Sequence, residues 1–477
     1  MGNGVNSVMV ISVFLYLFLT LAVGLFFARK VKNSQDYILS GKNLPLYIVT
    51  ATAFATWFGA ETVVGTSGSV IENGFIGIIE DPFGVAMCLI LIGLFFARKL
   101  YRLNLVTLGD FYKLKYGRKV EIVASIIIIL SYFGWIAAQM LALGKIFNIV
   151  TGIETEYGIL IASIIVIIYT VLGGMYSIAR IDFMQMILIF IGLIAAGIEV
   201  VLNDAGGFMT VFNKIPVGTF NMMPSLEPRE FLTWVAAWIT LGLGSIPQQD
   251  VYQRVMSSKN EKVAMWGSIN AGLMYLTVAM IPIFLGLVAK VVYPELIAGG
   301  DTETVLTSMI LLHTHVLTQI LFFGALLSAI MSTASGALLA PSTILSENII
   351  RPYFKHLDDK KFLLLTRYSV LFMAIISIGF ALTNGSVYEL VANAYSLVLV
   401  SIFVPLAFGL YWRKASPLGA MLSILVGILV YVRMEYYSAD FVIPSLISGL
   451  LASIAGMVFG SYLPKMIHER FEPKAME

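Results

Sequence analysis

The chain has 477 residues, of which 59% are hydrophobic and only 12% charged, with a mean hydropathy of +0.90. Soluble globular chains of this size do not have such a composition, so the sequence predicts an all-α polytopic membrane protein. A net charge of +2 gives no reason to expect nucleic acid as a partner. The single cysteine, Cys88, excludes an internal disulfide and a cysteine-rich metal site.

Thirteen apolar runs are long enough to cross a bilayer, and we number them as predicted spans 1 to 13. Their approximate limits are 8–28, 44–71, 77–97, 120–150, 158–172, 183–202, 231–246, 264–292, 316–345, 362–383, 387–412, 418–432 and 441–463. Most of the 30 Lys and Arg residues fall in the loops after odd-numbered spans and in the C-terminal tail. The positive-inside rule therefore predicts an outside N-terminus and an inside C-terminus.

Predicted span 2 is unusually polar near its middle. It contains the carboxylate Glu61 between Gly59 and Gly65, with three hydroxyls nearby on Thr56, Thr62 and Thr66. An ionisable group at that depth indicates a functional site, and an opened helix is tolerated there only where protein or a cavity covers it. We interpret the span as a discontinuous helix that lines a binding site. The alternative is a glycine packing face with a glutamate that snorkels outward.

The next two spans carry polar groups with two interpretations each. Glu80 and Asp81 open span 3, where they either line a site or cap a helix. In span 4, Tyr132, Trp135 and Gln139 share one helix face, which forms either a ligand box or ordinary packing.

Spans 6 and 7 add two further polar positions. Asp182 begins span 6, and its alternative role is an interfacial pair with Arg180. Span 7 is interrupted by glycine and proline and then becomes polar, at Gly242, Gly244, Pro247, Gln248, Gln249 and Asp250. Interrupted helices at corresponding places in two halves of a chain indicate an inverted-repeat transporter.

Span 9 places Ala329, Ser332, Thr333 and Gly336 on one helix face. Two hydroxyls beside a backbone carbonyl suit Na⁺, because a hard cation takes oxygen ligands and can use neutral ones. The alternative is a small-residue face for helix packing.

Taken together, these segments resemble the sodium:solute symporter family. The resemblance is carried in order by Ala55–Gly65, Gly173–Asp182, Gln253-Arg254 and Ala329–Thr333. Ala55-Thr56-Trp57 and Ile246-Pro247 are similar to the high-affinity choline transporter branch. The family implies a LeuT-type 5+5 inverted repeat. The implied division is a leading helix and loop at 1–43, repeats at 44–203 and 204–412, and two final helices with a tail at 413–477.

The resemblance also implies site residues. A sodium ion would bind the backbone oxygens of Ala55, Phe58 and Ala329 and the hydroxyls of Ser332 and Thr333. A second sodium would use Asp182, Ser332 and Ser335, although Gly336 stands where such members have a serine. Positions that contact solute in relatives are Trp57, Thr62, Asp81, Trp135 and Gln248, and Gln248 replaces an aromatic residue of the choline-type box.

The expected function is therefore sodium-driven symport of a small polar organic solute across the plasma membrane by alternating access. The solute would be a choline-like cation, an amino acid or a sugar-type metabolite. We expect Na⁺ as the coupling ion without an organic cofactor, no catalytic residue, no partner beyond solute and bilayer, and a monomer. The alternatives are a passive channel, a proton-coupled carrier centred on Glu61, and a solute sensor built on a transporter domain. Sodium dependence of uptake separates symport from the first two.

Overall fold

The computed structural model describes residues 7–203, 206–298, 302–354, 357–383, 395–437 and 441–471. Its elements are helices, which is what an apolar chain requires because a helix satisfies its own backbone hydrogen bonds. In chain order the α-helices are α1 (Ser7–Ala28), α2 (Ser34–Leu39), α3 (Leu46–Trp57), α4 (Thr66–Asn73), α5 (Val85–Leu91), α6 (Ala97–Arg102), α7 (Leu108–Tyr116), α8 (Arg118–Thr151), α9 (Thr155–Asn203), α10 (Phe208–Lys214), α11 (Pro228–Gly244), α12 (Gln249–Ser257), α13 (Glu261–Val292), α14 (Pro294–Ile297), α15 (Val305–His313), α16 (Val316–Ile344), α17 (Asp359–Ala381), α18 (Val404–Tyr411), α19 (Pro417–Tyr437) and α20 (Ser445–Phe471).

Nine helical stretches of the described residues are long and apolar enough to cross a membrane. One of them, Glu61–Arg102, runs through several short helical segments, and α3 and the stretch Tyr395–Tyr411 are shorter apolar helices. Predicted span 11 begins at 387, and its first residues lie outside the described part of the chain. The number of thirteen spans stays a prediction, as does the division into two repeats.

Helix α9 contains predicted spans 5 and 6 and changes direction between them. At this point Gly174 has φ of +51° and ψ of −148°, which is not helical. A β-carbon on Gly174 would lie 2.4 Å from the carbonyl oxygen of Tyr37, so both the turn and the close approach require glycine. The apolar pattern locates the two spans, and this glycine joins them.

Two helices are interrupted within the apolar part of the chain, where the sequence predicted breaks. The first interruption separates α3 from the π-helical turn Glu61–Gly65 that leads into α4. The second separates α11 from α12 at residues 245–248. Leu44 and Ser258 form a parallel backbone bridge, which fixes the start of α3 beside the end of α12.

The long helix α16 lies at the centre of the bundle. It packs against α9, α8, α3 and α12, and its residues from Ala325 to Ile344 are all buried. The crossing with α9 is very close, because a β-carbon on Gly192 would lie 2.2 Å from the carbonyl oxygen of Leu321. The small residues of α16 thus allow several helices to meet beside the first interruption.

Candidate functional site

The first interruption frees a backbone carbonyl beside α16. Phe58, at the end of α3, has φ of −80° and ψ of 78°, which ends the helix. The Gly59 N–H donates to the carbonyl of Trp57 at 3.0 Å instead of continuing the helical pattern to Ala55. The Ala55 carbonyl is therefore available to a side chain or an ion.

Hydroxyl groups of α16 meet that carbonyl. The Thr333 hydroxyl lies 3.4 Å from the Ala55 oxygen and donates to the carbonyl of Ala329 at 3.1 Å. Ser332 and Thr333 are fully buried. The structure thus brings Ala55, Ala329 and Thr333 together, and Phe58 precedes the glycine that faces Thr333.

This set of oxygens has the chemistry of a sodium site. It combines backbone carbonyls with a hydroxyl, which are neutral oxygen ligands of the kind a hard monovalent cation accepts. Among the described residues, no group of three His, Cys, Asp or Glu side chains could hold a metal ion of higher charge. The oxygens come from two different helices, α3 and α16, so an ion bound here would join them.

Asp182 lies beside this set and has its own partners. It accepts hydrogen bonds from the Ser332 hydroxyl at 2.7 Å and from the Thr52 hydroxyl. Its carboxylate also lies 3.7 Å from the Arg254 guanidinium, and both side chains are almost fully buried. The alternative pairing with Arg180 is wrong, because Arg180 donates to the Ser40 hydroxyl and to the Tyr176 carbonyl.

Ser335 and Gly336 are the remaining positions considered for a second sodium. Ser335 donates to the Ser332 carbonyl at 3.0 Å. A β-carbon on Gly336 would lie only 2.8 Å from the Arg254 guanidinium. Glycine at 336 therefore leaves room for a positively charged side chain next to Asp182.

Three carboxylates lie in the region of the residues predicted to contact solute. Each accepts hydrogen bonds from neutral donors. Asp81 accepts from the hydroxyls of Thr62 at 2.9 Å and Tyr275 at 3.1 Å. Asp250 accepts from the Trp57 indole at 2.6 Å and from the Tyr132 hydroxyl. The Tyr275 hydroxyl also contacts the Trp57 carbonyl at 3.1 Å, so Asp81 and Trp57 belong to one hydrogen-bonded region.

Glu61 is the third carboxylate and does not snorkel outward. It accepts from the Trp135 indole at 3.1 Å and from the Gln139 amide at 2.8 Å, so the polar face of predicted span 4 meets the polar break of span 2. Trp135 also contacts Tyr132 and Tyr395, with ring centroids 5.7 and 5.9 Å apart. Trp57 and Trp135 are thus linked through Tyr132 and Asp250.

Gln248 lies at the second interruption, immediately before α12. Its side chain is buried, and its amide oxygen has no hydrogen-bond partner within the described residues. A buried amide oxygen without a partner is costly, so a bound solute with a donor group would satisfy it.

Sequence reasoning missed Tyr275, Tyr395 and Thr52. Thr52 lies one helical turn before Thr56, which is a signal that could have been used. A tyrosine within an apolar span is also a signal, because its hydroxyl must find a partner when it is buried. Which partner each one finds depends on packing between distant helices.

The chain is similar to known transporters over nearly its whole length. The family model described as the sodium:solute symporter family matches residues 37–427. The high-affinity choline transporter 1 of Torpedo marmorata is 27% identical over 442 residues, which are 88% of this chain and 75% of that protein. The sodium/proline symporter of Staphylococcus aureus is 26% identical over 451 residues, with 88% and 84% covered.

Two solved structures share the fold. A substrate-bound, outward-open Na⁺-coupled sialic acid symporter superposes with a TM-score of 0.83 at 19% identity, covering 96% of this chain and 98% of that one. A nucleobase-cation-symport-1 family transporter in a closed conformation gives a TM-score of 0.63 at 15% identity, with 90% and 95% covered. Both are LeuT-fold transporters, so the predicted fold class is confirmed. The matched residues include every position of the candidate site.

Proposed function

Since the chain belongs to the sodium:solute symporter family, we propose that it carries a small polar organic solute across the plasma membrane together with Na⁺. The family consists of transporters and not of enzymes. The solute is a choline-like cation, an amino acid or a sugar-type metabolite, and a single chain is the transport unit.

One observation carries the sodium part of this proposal. The Thr333 hydroxyl of α16 lies within 3.4 Å of the Ala55 carbonyl, which the interruption of α3 has freed. We assign the ion to the carbonyls of Ala55, Phe58 and Ala329 and the hydroxyls of Ser332 and Thr333. Because these groups belong to two helices, separating α3 from α16 would release the ion.

The solute is assigned to the region of hydrogen-bonded carboxylates and aromatic rings. Trp57 and Trp135 provide ring faces, and Thr62, Asp81 and Gln248 provide polar groups. Aromatic faces attract a cation by about 0.5–2 kcal/mol per ring, and the carboxylates add negative charge. The unpartnered oxygen of Gln248 supplies an acceptor for a solute donor group.

A second sodium at Asp182, Ser332 and Ser335 would compete with Arg254, which already supplies a positive charge 3.7 Å from Asp182. We propose that a second ion binds there only when Arg254 moves away. The coupling ion of the cycle is then the one at Ala55 and Thr333.

Transport proceeds by alternating access. Sodium bridges α3 and α16 in the form open to the predicted outside and orders the neighbouring solute site. Inward opening separates the two helices and releases ion and solute. The membrane potential contributes about 2.3 kcal/mol per charge per 100 mV to this inward movement.

Uptake into proteoliposomes tests the proposal. The purified protein is reconstituted, and an inward Na⁺ gradient is imposed with labelled choline, proline, a sugar or a sialic acid outside. We expect one of these classes to accumulate with Na⁺ and not with K⁺ in its place. Accumulation driven by a proton gradient in the absence of Na⁺ would instead establish a proton-coupled carrier.

A further inference from the structure

The carboxylate of Glu61 is held by hydrogen-bond donors. Its two carboxylate oxygens accept from the Trp135 indole N–H and from the Gln139 side-chain NH₂. The orientation of the Gln139 amide is fixed because its oxygen accepts from the Ala60 backbone N–H at 3.4 Å. Both partners of Glu61 are therefore donors, which is the environment of an ionised carboxylate that acts only as an acceptor.

This negative charge has no counter-ion in the described part of the chain. The ion pairs there join other residues, and no Lys, Arg or His nitrogen lies within 4.0 Å of the Glu61 carboxylate. Asp81 lies close enough to interact electrostatically with Glu61. Charged groups removed from water are usually paired, because leaving one unpaired is costly. A cation from outside the chain would compensate this charge.

The carboxylate faces the same space as the sodium site. A β-carbon on Gly59 would lie 2.7 Å from a Glu61 carboxylate oxygen, 2.9 Å from the Gln139 amide oxygen and 3.0 Å from the Thr333 hydroxyl. The same Thr333 hydroxyl contacts the Ala55 and Ala329 carbonyls. Three oxygens of different helices thus surround a space that any side chain at position 59 would fill.

We propose that Glu61 is the charge-compensating residue of the sodium site and the link between ion and solute. Na⁺ held by Ala55 and Thr333 neutralises the Glu61 carboxylate, and Gln139 provides a further oxygen next to it. Glu61 in turn holds Trp135, a residue of the solute region, so the ion fixes the position of that ring. This inference rests on the proposed sodium symport and adds a residue to its ion site.

The same arrangement explains why sodium would precede the solute. Without Na⁺ the Glu61 charge has no counter-ion among the described residues, and hydrogen bonds from Trp135 and Gln139 stabilise it. With Na⁺ bound, the carboxylate interacts with the ion as well as with its hydrogen-bond donors, and the position of Trp135 is fixed for the solute. Glu61 is therefore a residue of the ion site, and it also positions Trp135 for the solute.

The test is a Na⁺ titration of purified full-length protein, read as thermal stabilisation and as binding of radioactive ²²Na⁺. The variant Glu61→Gln keeps the shape of the side chain and removes its charge. We expect its half-saturating Na⁺ concentration to rise by about tenfold or more, since one opposite charge is lost near the ion. The double variant Glu61→Gln/Gln139→Glu exchanges the carboxylate and the amide between these two hydrogen-bonded positions. We expect it to recover most of the Na⁺ affinity.

Two further variants complete the design. Gly59→Ala keeps every hydrogen-bonding group and fills the space between the three oxygens, so we expect it to weaken Na⁺ binding as well. Glu199→Gln removes a carboxylate at the far end of α9, which bonds His315, and we expect it to leave Na⁺ binding unchanged. Size-exclusion profiles verify that each variant is folded.

The outcomes separate this inference from the proposed function. If Glu61→Gln binds Na⁺ like the wild type, Glu61 is not part of the ion site, while sodium symport stands. If Glu61→Gln and the control Glu199→Gln lose Na⁺ affinity to the same extent, the loss does not come from a charge beside the ion, and the inference is overturned. If the wild type does not respond to Na⁺ at all, the proposed function fails.

Discussion

The ion pair of Arg254 and Asp182 is the most heavily buried charge pair that the structure describes. The side chains are 1% and 0% exposed, and Asp182 also accepts hydrogen bonds from Thr52 and Ser332. Arg254 also donates to the Asp250 carbonyl, so it connects Asp182 to the hydrogen-bonded group around Asp250. A buried charge is tolerated only while its partner is present.

Removing one member of this pair should destabilise the protein strongly. We expect Arg254→Met to lower the free energy of unfolding by about 3–5 kcal/mol, because Asp182 is left as an uncompensated buried charge. The double variant Arg254→Met/Asp182→Asn should be less destabilised than Arg254→Met alone. Thermal unfolding in detergent measures both.

The exposed pair of Arg102 and Glu261 is the control. Its nitrogen and oxygen are 2.7 Å apart, but the Arg102 side chain is 67% exposed, so we expect Arg102→Ala to change the melting temperature little. Equal melting temperatures for Arg254→Met and Arg102→Ala would contradict the role of burial.

Between elements, α9 and α16 approach each other closely at Gly192. Gly192 allows the α16 backbone at Leu321 to approach closely, and Ala325 completes the contact. This crossing fixes the half of α9 that contains Asp182 against the half of α16 that contains Ser332 and Thr333. Glycine at a close helix crossing lets two backbones pack without side chains between them.

Gly192→Ala should therefore separate the two helices and lower stability. Its β-carbon would meet the Leu321 carbonyl oxygen, which belongs to the backbone and cannot rotate away, and such overpacking typically costs about 1–3 kcal/mol. The measurement is the melting temperature. Gly197→Ala on the same helix is the matched control, since the nearest atom would be 3.7 Å away, and its melting temperature should be unchanged or raised. A loss in both variants would mean that α9 tolerates no added methyl group, whatever its position.

For the whole molecule, the sequence identified the positions that interrupt a regular apolar pattern. Glu61, Asp182, Ser332 and Thr333 stood out because polar groups are rare in such runs, and the glycines near residue 59 located the break of α3. The partners could not be derived in the same way. Arg254 lies in α12 and Asp182 in α9, and their pairing depends on how distant helices pack.

The number of spans shows a second limit of sequence reasoning. The length of an apolar run indicates whether a segment can cross the membrane, but it does not show how two successive helices are joined. Predicted spans 5 and 6 correspond to two helices within α9 that meet at a kink, and only the conformation of Gly174 shows that kink. In contrast, the hydroxyl face of predicted span 9 was placed correctly because helical spacing alone determines it.

Coupling between ion and solute should be reciprocal in the intact protein. If Na⁺ orders the solute region through Glu61 and Trp135, saturating Na⁺ should tighten solute binding by a factor of about five or more, and saturating solute should tighten Na⁺ binding by the same factor. Cross-titration by calorimetry, with the solute identified from uptake, measures both factors. Affinities that do not depend on the other ligand would mean that the two regions are independent.

The most direct test of the central claim is Na⁺ binding to the purified protein and to Ser332→Ala/Thr333→Ala. The matched control is Ser342→Ala/Thr343→Ala, which removes a second buried Ser-Thr pair of α16 whose hydroxyls bond the carbonyls of Leu338 and Leu339. We predict that Na⁺ raises the melting temperature of the wild type and of the control, and not that of Ser332→Ala/Thr333→Ala. An unchanged response of Ser332→Ala/Thr333→Ala would contradict a sodium site between α3 and α16, and with it the mechanism that depends on their separation.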